Sequence, residues 1–231
     1  VRELAVQSSN ATNSASDRQA LQAEVSQLVA EIGRVSGQTE FNGTKLLDGS
    51  FAGQAFQVGA NAGQLITVDS IADARTASLG GVDFAADVAG AVVTDDAISG
   101  LEINGVVIDD VAAQGSVGAT AQALASAINL KTTETGVFAT VNDNNGVTLS
   151  SIEAGRDTVV GGTVANSGLT AATTAADTSF TLDQVDISTF AGAQKAIAIM
   201  DEALTDINSA RADMGAVQNR FESVIANLQT S

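Results

Sequence analysis

The sequence predicts an α+β fold: an elongated helical rod built from both chain ends, with short β-hairpins beside it, and a smaller α+β domain inserted between the two arms. Three observations carry that expectation. One apolar stripe at three- and four-residue steps runs through residues 188–231, and a second runs through residues 21–35. Between them the chain turns to Val, Thr, Ala, Gly and Asp, broken by hairpin-type turn signals. The expected division is a discontinuous helical bundle over 1–84 and 188–231, with an inserted domain over 85–187. A chain of 231 residues suffices for a core in each.

The C-terminal stripe consists of Ile197, Met200, Leu204, Ile207, Ala210, Met214, Val217, Phe221, Val224 and Leu228. It lies along one side of a single helix, for which Ser188 or Thr189 is the expected N-cap. About 40 residues of helix make a rod roughly 60 Å long, which cannot bury its stripe against itself. The partner is expected in Leu21, Val25, Leu28, Ile32 and Val35, spaced four, three, four, three as in a coiled-coil seam. Inter-helix packing is therefore assigned to these five together with Ile197, Met200, Leu204, Ile207, Met214, Val217 and Phe221.

Taken from the start, residues 1–13 read as a helical segment, and Asp17 is the expected cap of a second helix that Gly37 would end. Asn42-Gly43 and Asp48-Gly49 then signal turns. Phe56-Gln57-Val58 and Leu65-Ile66-Thr67-Val68 flank Gly59-Ala60-Asn61-Ala62-Gly63 and read as two short strands. In the inserted region, Leu101 and Ile103 turn through Asn104-Gly105 into Val106 and Ile108. An Ala-rich helix follows over 119–131, and Val137, Ala139 and Val141 turn into Val147 and Leu149. That unit is ββαββ, and 155–180 reads as weak strand or loop.

Composition excludes several functions. Cys, His, Trp, Tyr and Pro are all absent, so disulfides, thiolate zinc sites and His-dependent triads are excluded. No apolar run approaches the length of a membrane span, and no basic-then-apolar leader precedes Val1, so neither membrane insertion nor a secretory signal is expected. Both ends read as mid-helix, as though the chain were the middle of a longer protein. The net charge is −17, and residues 85–187 hold thirteen acidic against two basic groups. Such a surface is self-repelling and unsuited to nucleic acid. Asp95-Asp96, Asp109-Asp110 and Asn142-Asp143-Asn144-Asn145 offer oxygens, but none has the loop spacing that ends in a bidentate Glu, so no metal or cofactor is expected. Phe84, Phe138 and Phe180 are the aromatic residues of the acidic region, too few to read its carboxylates as a glycosidase site. No catalytic residue is expected. Asn10-Ala11-Thr12 and Asn42-Gly43-Thr44 match the N-glycosylation pattern, and both are read as chance matches.

Val1-Arg2-Glu3-Leu4-Ala5-Val6-Gln7-Ser8-Ser9-Asn10, and the run Ile32 to Leu47 with Arg34-Val35-Ser36-Gly37-Gln38-Thr39 and Phe41-Asn42-Gly43-Thr44, resemble the N-terminal helical signature and the next block of bacterial flagellin. Phe56-Gln57-Val58-Gly59-Ala60-Asn61 follows in order, and Met214-Gly215-Ala216-Val217-Gln218-Asn219-Arg220-Phe221 resembles the C-terminal signature. Leu101 to Ser151 resembles the small repeat, named for its Ile-Asn pair, of flagellins and hook-associated proteins. The resemblance covers most of 1–68 and 188–231. It implies a structural subunit of the flagellar filament, extracellular and self-assembling for motility, with a D1-like helical domain and a D2-like outer domain. Implied partners are other flagellin subunits and, through terminal coiled-coil segments that this chain lacks, an export chaperone and hook-associated proteins; without those segments the chain is expected to stay monomeric. Recognition by the vertebrate innate flagellin receptor is also implied, at Arg2, Leu4, Gln7, Glu24 and Arg220. The alternative expectation is a flagellin-like surface module that holds a polysaccharide or host glycan through 85–187; a hook-filament junction protein is a third.

Overall fold

The computed structural model describes residues 1–58 and 63–230, without the side chains of 69, 70 and 227–230. The expected turn over 59–62 and the packing of Leu228 lie outside the described residues. In chain order come α1 (Arg2–Ser8), α2 (Ala15–Gln38), β1 (Glu40–Phe41), β2 (Thr44–Lys45), β3 (Ala52–Gln57) and β4 (Leu65–Ser70). Then follow β5 (Val82–Phe84), β6 (Val88–Val92), β7 (Leu101–Ile103), β8 (Val106–Val107), α3 (Val117–Leu130) and α4 (Thr132–Thr135). The chain ends with β9 (Val137–Val141), β10 (Gly146–Ser151), β11 (Thr158–Gly162), β12 (Ala172–Thr174), β13 (Thr178–Phe180), a 3-10 turn (Leu182–Gln184) and α5 (Phe190–Thr230). The fold is α+β. It divides into two compact units, one of Val1–Gly81, Thr181–Ser188 and Ala196–Ser231, the other of Val82–Phe180 and Thr189–Lys195.

In the first unit the helix ends differ from expectation. Ser14, not Asp17, caps α2, and Asp17 completes a capping box: Ser14 Oγ accepts from the Asp17 amide at 3.2 Å while the Asp17 carboxylate accepts from the Ser14 amide at 3.0 Å. Gly37 does not stop this helix. The chain leaves at Thr39, which turns extended while its amide and hydroxyl both donate to the Val35 carbonyl, at 3.0 and 2.6 Å. Helix α1 ends at Ser8, because Asn13 Nδ2 donates to the Gln7 carbonyl at 2.5 Å and folds the chain back before α2. Arg18 fixes that corner by donating to the Ser8 and Asn10 carbonyls at 2.9 and 3.2 Å.

Polar contacts set the helix directions. Arg2 at the start of α1 pairs with Asp201 at 2.5 Å, and Ser8 at its end donates to the Ile187 carbonyl at 2.6 Å, so α1 runs against α5. Gln22 brackets the segment before α5, accepting from the Ile187 amide at 2.7 Å and donating to the Val185 carbonyl at 3.2 Å. Farther along, Ile32 and Val35 share a groove with Met200, Leu204 and Ile207, so α2 runs alongside α5 in the same direction. Irregular segments fill the space between: Leu79 and Leu182 are buried and joined backbone to backbone at 3.0 Å, and Val185 and Ile187 are buried beside them. Asn42 and Gly43 close the β1–β2 hairpin with φ of 50° and 79°.

A carboxylate fastens the loop before Gly80. Asp73 accepts from Arg75 Nη2 at 2.6 Å, Arg75 Nε at 2.9 Å and the Ser78 hydroxyl at 2.7 Å. The Arg75 guanidinium, helped by Ser78 and opposed by partial burial, holds this carboxyl far below the usual carboxylate range. A depressed folded-state pKa stabilises above the unfolded value near 4 and loses that contribution as pH falls below it. Asp73→Asn is therefore expected to cost about 1 kcal/mol at neutral pH, a modest figure because the exposed Arg75 is screened by solvent. It should also shrink the loss of stability on acidification; urea titrations of both proteins across the acid range measure this, and parallel pH profiles would refute it.

Among the described residues the second unit holds three sheets, three-stranded in the order β6-β10-β9, four-stranded in the order β12-β11-β7-β8, and two-stranded from β13 and β5. The two hairpins, β7–β8 and β9–β10, follow one another around α3 in the chain order ββαββ, with the short α4 after α3, and fall in different sheets. Helix α3, capped by Ser116, buries Ala121, Leu124, Ala125 and Ile128 against Ile103, Val147, Leu149 and Val160. Strands β5 and β6 were not expected, and 158–180 contributes β11, β12 and β13. The first residues of α5 belong to this unit, which shifts the expected boundary at 188. Thr189 caps the helix, accepting from the Gly192 amide at 3.0 Å, and Phe190 packs on Phe138 with ring centroids 4.6 Å apart. Lys195 lies over Phe84 and Phe180, 5.7 and 5.1 Å from their centroids, and pairs with Asp87 at 3.2 Å.

Candidate assembly interface

The residues assigned to inter-helix packing do not all meet. Val25 is fully buried, while Leu21, Ile32, Ile197, Met200, Ile207, Val217 and Phe221 are half-buried. Leu28 (39 % exposed), Val35 (44 %), Leu204 (48 %) and Met214 (38 %) face solvent. Two separate partners divide the long stripe. Its first part meets α2: Ile32, Val35, Met200, Leu204 and Ile207 line an open apolar groove of about 390 Å³ floored by Leu79 and Leu182. Its second part, including Met214, Val217 and Phe221, meets the β3–β4 hairpin at Phe51, Phe56 and Val68 instead of α2. Phe56 and Phe221 stand edge to face at 5.9 Å. The physical reason is length: α2 has 24 residues and α5 has 41, about 36 Å against 61 Å, so α2 runs out first.

The five positions implied for receptor contact are placed on three helices. Arg2, Gln7, Glu24 and Arg220 are exposed and Leu4 is half-buried. Arg2 is paired with Asp201, whose carboxyl it holds below the ordinary range, and Arg220 donates to the Thr67 carbonyl at 3.4 Å. Among the described residues no hydrogen bond or ion pair joins two of the five. Asp201, the partner of Arg2, and Arg220 lie 19 residues apart on α5, about 28 Å along its axis. Sequence reasoning missed Gln22 and Gly80, which position this unit through contacts distant in sequence.

The acidic clusters of the second unit hold backbone. Asp95 Oδ1 accepts from the Gln114 and Gly115 amides at 3.0 and 3.1 Å and from the Thr120 hydroxyl at 2.6 Å, docking the loop that leads into α3. Asn142 Oδ1 accepts from the Asn144 and Gly146 amides at 3.1 and 2.8 Å and shapes the β9–β10 turn. Among the described residues, no group of three or more acidic side chains is gathered as a cation site. No helix of the described residues is long and apolar enough to cross a membrane.

The class of fold is thus a helical unit made from both chain ends, with an apolar groove left open and a second unit inserted in sequence between its segments. The comparisons agree. The family model described as the bacterial flagellin N-terminal helical region matches residues 1–52, that of the C-terminal helical region matches 197–231, and the flagellin hook IN motif matches 100–153. Flagellin B of Vibrio cholerae is 36% identical over 239 residues, which cover 99% of this chain and 61% of that protein. Flagellin B of Vibrio anguillarum is 34% identical over 238 residues, with the same shares covered. Among solved structures, FliC from Burkholderia pseudomallei is similar at a TM-score of 0.51 and 28% identity, over 95% of this chain and 91% of that one. The chain belongs to the bacterial flagellin family, and it spans about 61% of the length of these curated relatives.

Proposed function

We propose that this chain is part of a structural subunit of the bacterial flagellar filament, located outside the cell and polymerised there for motility. The observation that carries the reading is the open apolar face of the first unit, where Val35 and Leu204 leave a groove half covered. Contiguous exposed apolar surface of this kind marks a contact with other chains. A non-closing head-to-tail contact between identical subunits generates a helical filament. On this reading the first unit is the D1-like inner domain and the second the D2-like outer domain. The partners are further subunits, with an export chaperone and hook-associated proteins engaged by segments outside this chain. Recognition by the vertebrate flagellin receptor at Arg2, Leu4, Gln7, Glu24 and Arg220 remains part of the proposal, and the exposure of four of them supports it. A glycan-holding module is less well supported, because Phe84, Phe138 and Phe180 are each engaged by another ring or by Lys195.

Leu204→Glu, in the gene product that contains this chain, tests the reading. Leu204 is about half exposed in the single chain, so the change should cost that chain only about 1 kcal/mol. Buried between subunits, however, an unpaired carboxylate is prohibitive. Electron microscopy should then show few or no filaments from a variant whose circular dichroism is unchanged. Filaments of normal number and length would overturn the assignment of this face.

A further inference from the structure

We propose that Asn42 is a site of spontaneous covalent modification, at which the chain cyclises to a succinimide and reopens as aspartate or isoaspartate. The sequence holds three Asn-Gly pairs, at 42–43, 104–105 and 145–146. Glycine after asparagine matters because, lacking a side chain, it leaves its own amide nitrogen unshielded and its backbone free to rotate. The fold restrains two of the pairs and leaves the third free. At 104–105 the carboxamide is held at both ends: Asn104 Nδ2 donates to the Thr135 carbonyl at 2.7 Å, and Oδ1 accepts from the Val159 amide at 2.6 Å. At 145–146 the nucleophile itself is occupied, since the buried Gly146 amide donates to Asn142 Oδ1 at 2.8 Å.

Neither restraint exists at 42–43. Asn42 and Gly43 are exposed, and neither the carboxamide nor the Gly43 amide has a hydrogen-bond partner among the described residues. Apart from its chain neighbours, no atom lies within 4 Å of where a Gly43 Cβ would stand; the same holds at Gly105, so the difference between the two pairs lies in the carboxamide and the ladder. The loop has two residues and is flanked by two pairs, Glu40↔Lys45 and Phe41↔Thr44, followed by one bond from the Leu46 amide to the Thr39 carbonyl at 3.1 Å and an exposed Lys45–Glu40 ion pair at 2.7 Å. So short a two-stranded ladder opens at little cost, which lets the backbone rotate into the attack geometry. The hairpin of Asn104, by contrast, is part of a four-stranded sheet.

In the first step the Gly43 amide loses its proton to solvent base and its nitrogen attacks Asn42 Cγ. A nitrogen–carbon bond forms, the Cγ–NH2 bond breaks, and ammonia leaves with a proton from water. Water then opens the ring. Cleavage at Cγ gives aspartate, and cleavage at the former peptide carbonyl gives isoaspartate with the chain running through the side chain. Either product adds one negative charge. Isoaspartate also inserts a methylene into a two-residue loop whose register depends on its length, so the β1–β2 pairing is lost.

The test is to hold the protein in mildly alkaline buffer, digest it at intervals and follow the peptides of Asn42, Asn104 and Asn145 by mass spectrometry, with isoaspartate resolved by chromatography. The Asn42 peptide should convert about tenfold or more faster than either of the others, because its loop opens locally while theirs do not. Asn42→Gln should abolish that conversion, and Gly43→Ala should slow it by shielding the nucleophile. Equal rates at the three sites, or a lead for Asn104 or Asn145, would overturn the proposal. So would an Asn42 peptide that stays unmodified while the unfolded chain converts.

Discussion

Replacing Gly80 by alanine is expected to lower the stability of the first unit by about 3 kcal/mol or more. Gly80 sits at φ +72°, where a side chain is strained in any surroundings. Its surroundings are also full. An added Cβ would stand 2.5 Å from the Ile199 carbonyl oxygen, 2.9 Å from Ile199 Cγ2 and 3.3 Å from Ala203 Cβ. That oxygen belongs to α5 and cannot swing aside as a side-chain tip would. Retreat of the loop would stretch the bond from the Gly80 amide to Asp206, now 3.2 Å, and uncover the buried Leu79. Gly37→Ala is the matched control. It lies inside α2 with nothing within 4 Å of the new Cβ, so it should be neutral or stabilising by up to about 1 kcal/mol. Urea unfolding of the three proteins, followed by helical circular dichroism, separates the cases. A Gly80→Ala midpoint level with the parent would mean that the loop does not press on α5 as described.

That glycine shows where sequence reasoning ends. Periodicity identified the apolar face of α5 because side-chain direction repeats with the helix, whatever the face meets. It did not identify what covers that face. Met214, Val217 and Phe221 continue the stripe without a break in spacing, yet the β3–β4 hairpin takes them because α2 is too short to reach. Turns at Asn42-Gly43 and Asn104-Gly105 were legible, since positive φ at both loop residues restricts the residue types allowed. Strands β5 and β6 were not, as Val82-Asp83-Phe84 and Val88-Ala89-Gly90-Ala91-Val92 are too short or too glycine-rich to declare a period. The open groove was half legible: Ile32, Val35, Met200, Leu204 and Ile207 carry the helical period, but Leu47, Ala74, Leu79 and Leu182 come from irregular segments with no period, and exposure follows from which face of α2 meets α5. Gln22 had no local signature at all, because its partners lie at Val185 and Ile187, more than 160 residues away.

In the second unit the largest expected loss follows Leu124→Ala, at roughly 3–5 kcal/mol, the upper part of the range for buried leucine truncation. Leu124 is fully buried at the centre of α3, within a core that includes Ile103, Ile128, Val147 and Leu149. Several residues beside it are small, Ala121 and Ala125 on α3 and Ala139 on β9. Alanines have no side chain with which to lean into a void, so the cavity left by the missing methyls persists and the full cavity cost applies. Ile128→Val removes one methylene from the same core and should cost about 1 kcal/mol, which separates a volume effect from general intolerance of α3 to change. Hydrogen exchange read by mass spectrometry locates the damage. Protection should fall in β9 and β10, whose residues Val137, Ala139, Val147 and Leu149 form the other wall of the core. Parent-like protection of β10 in Leu124→Ala would show that the helix is not seated on that sheet, and the account of this core would fail.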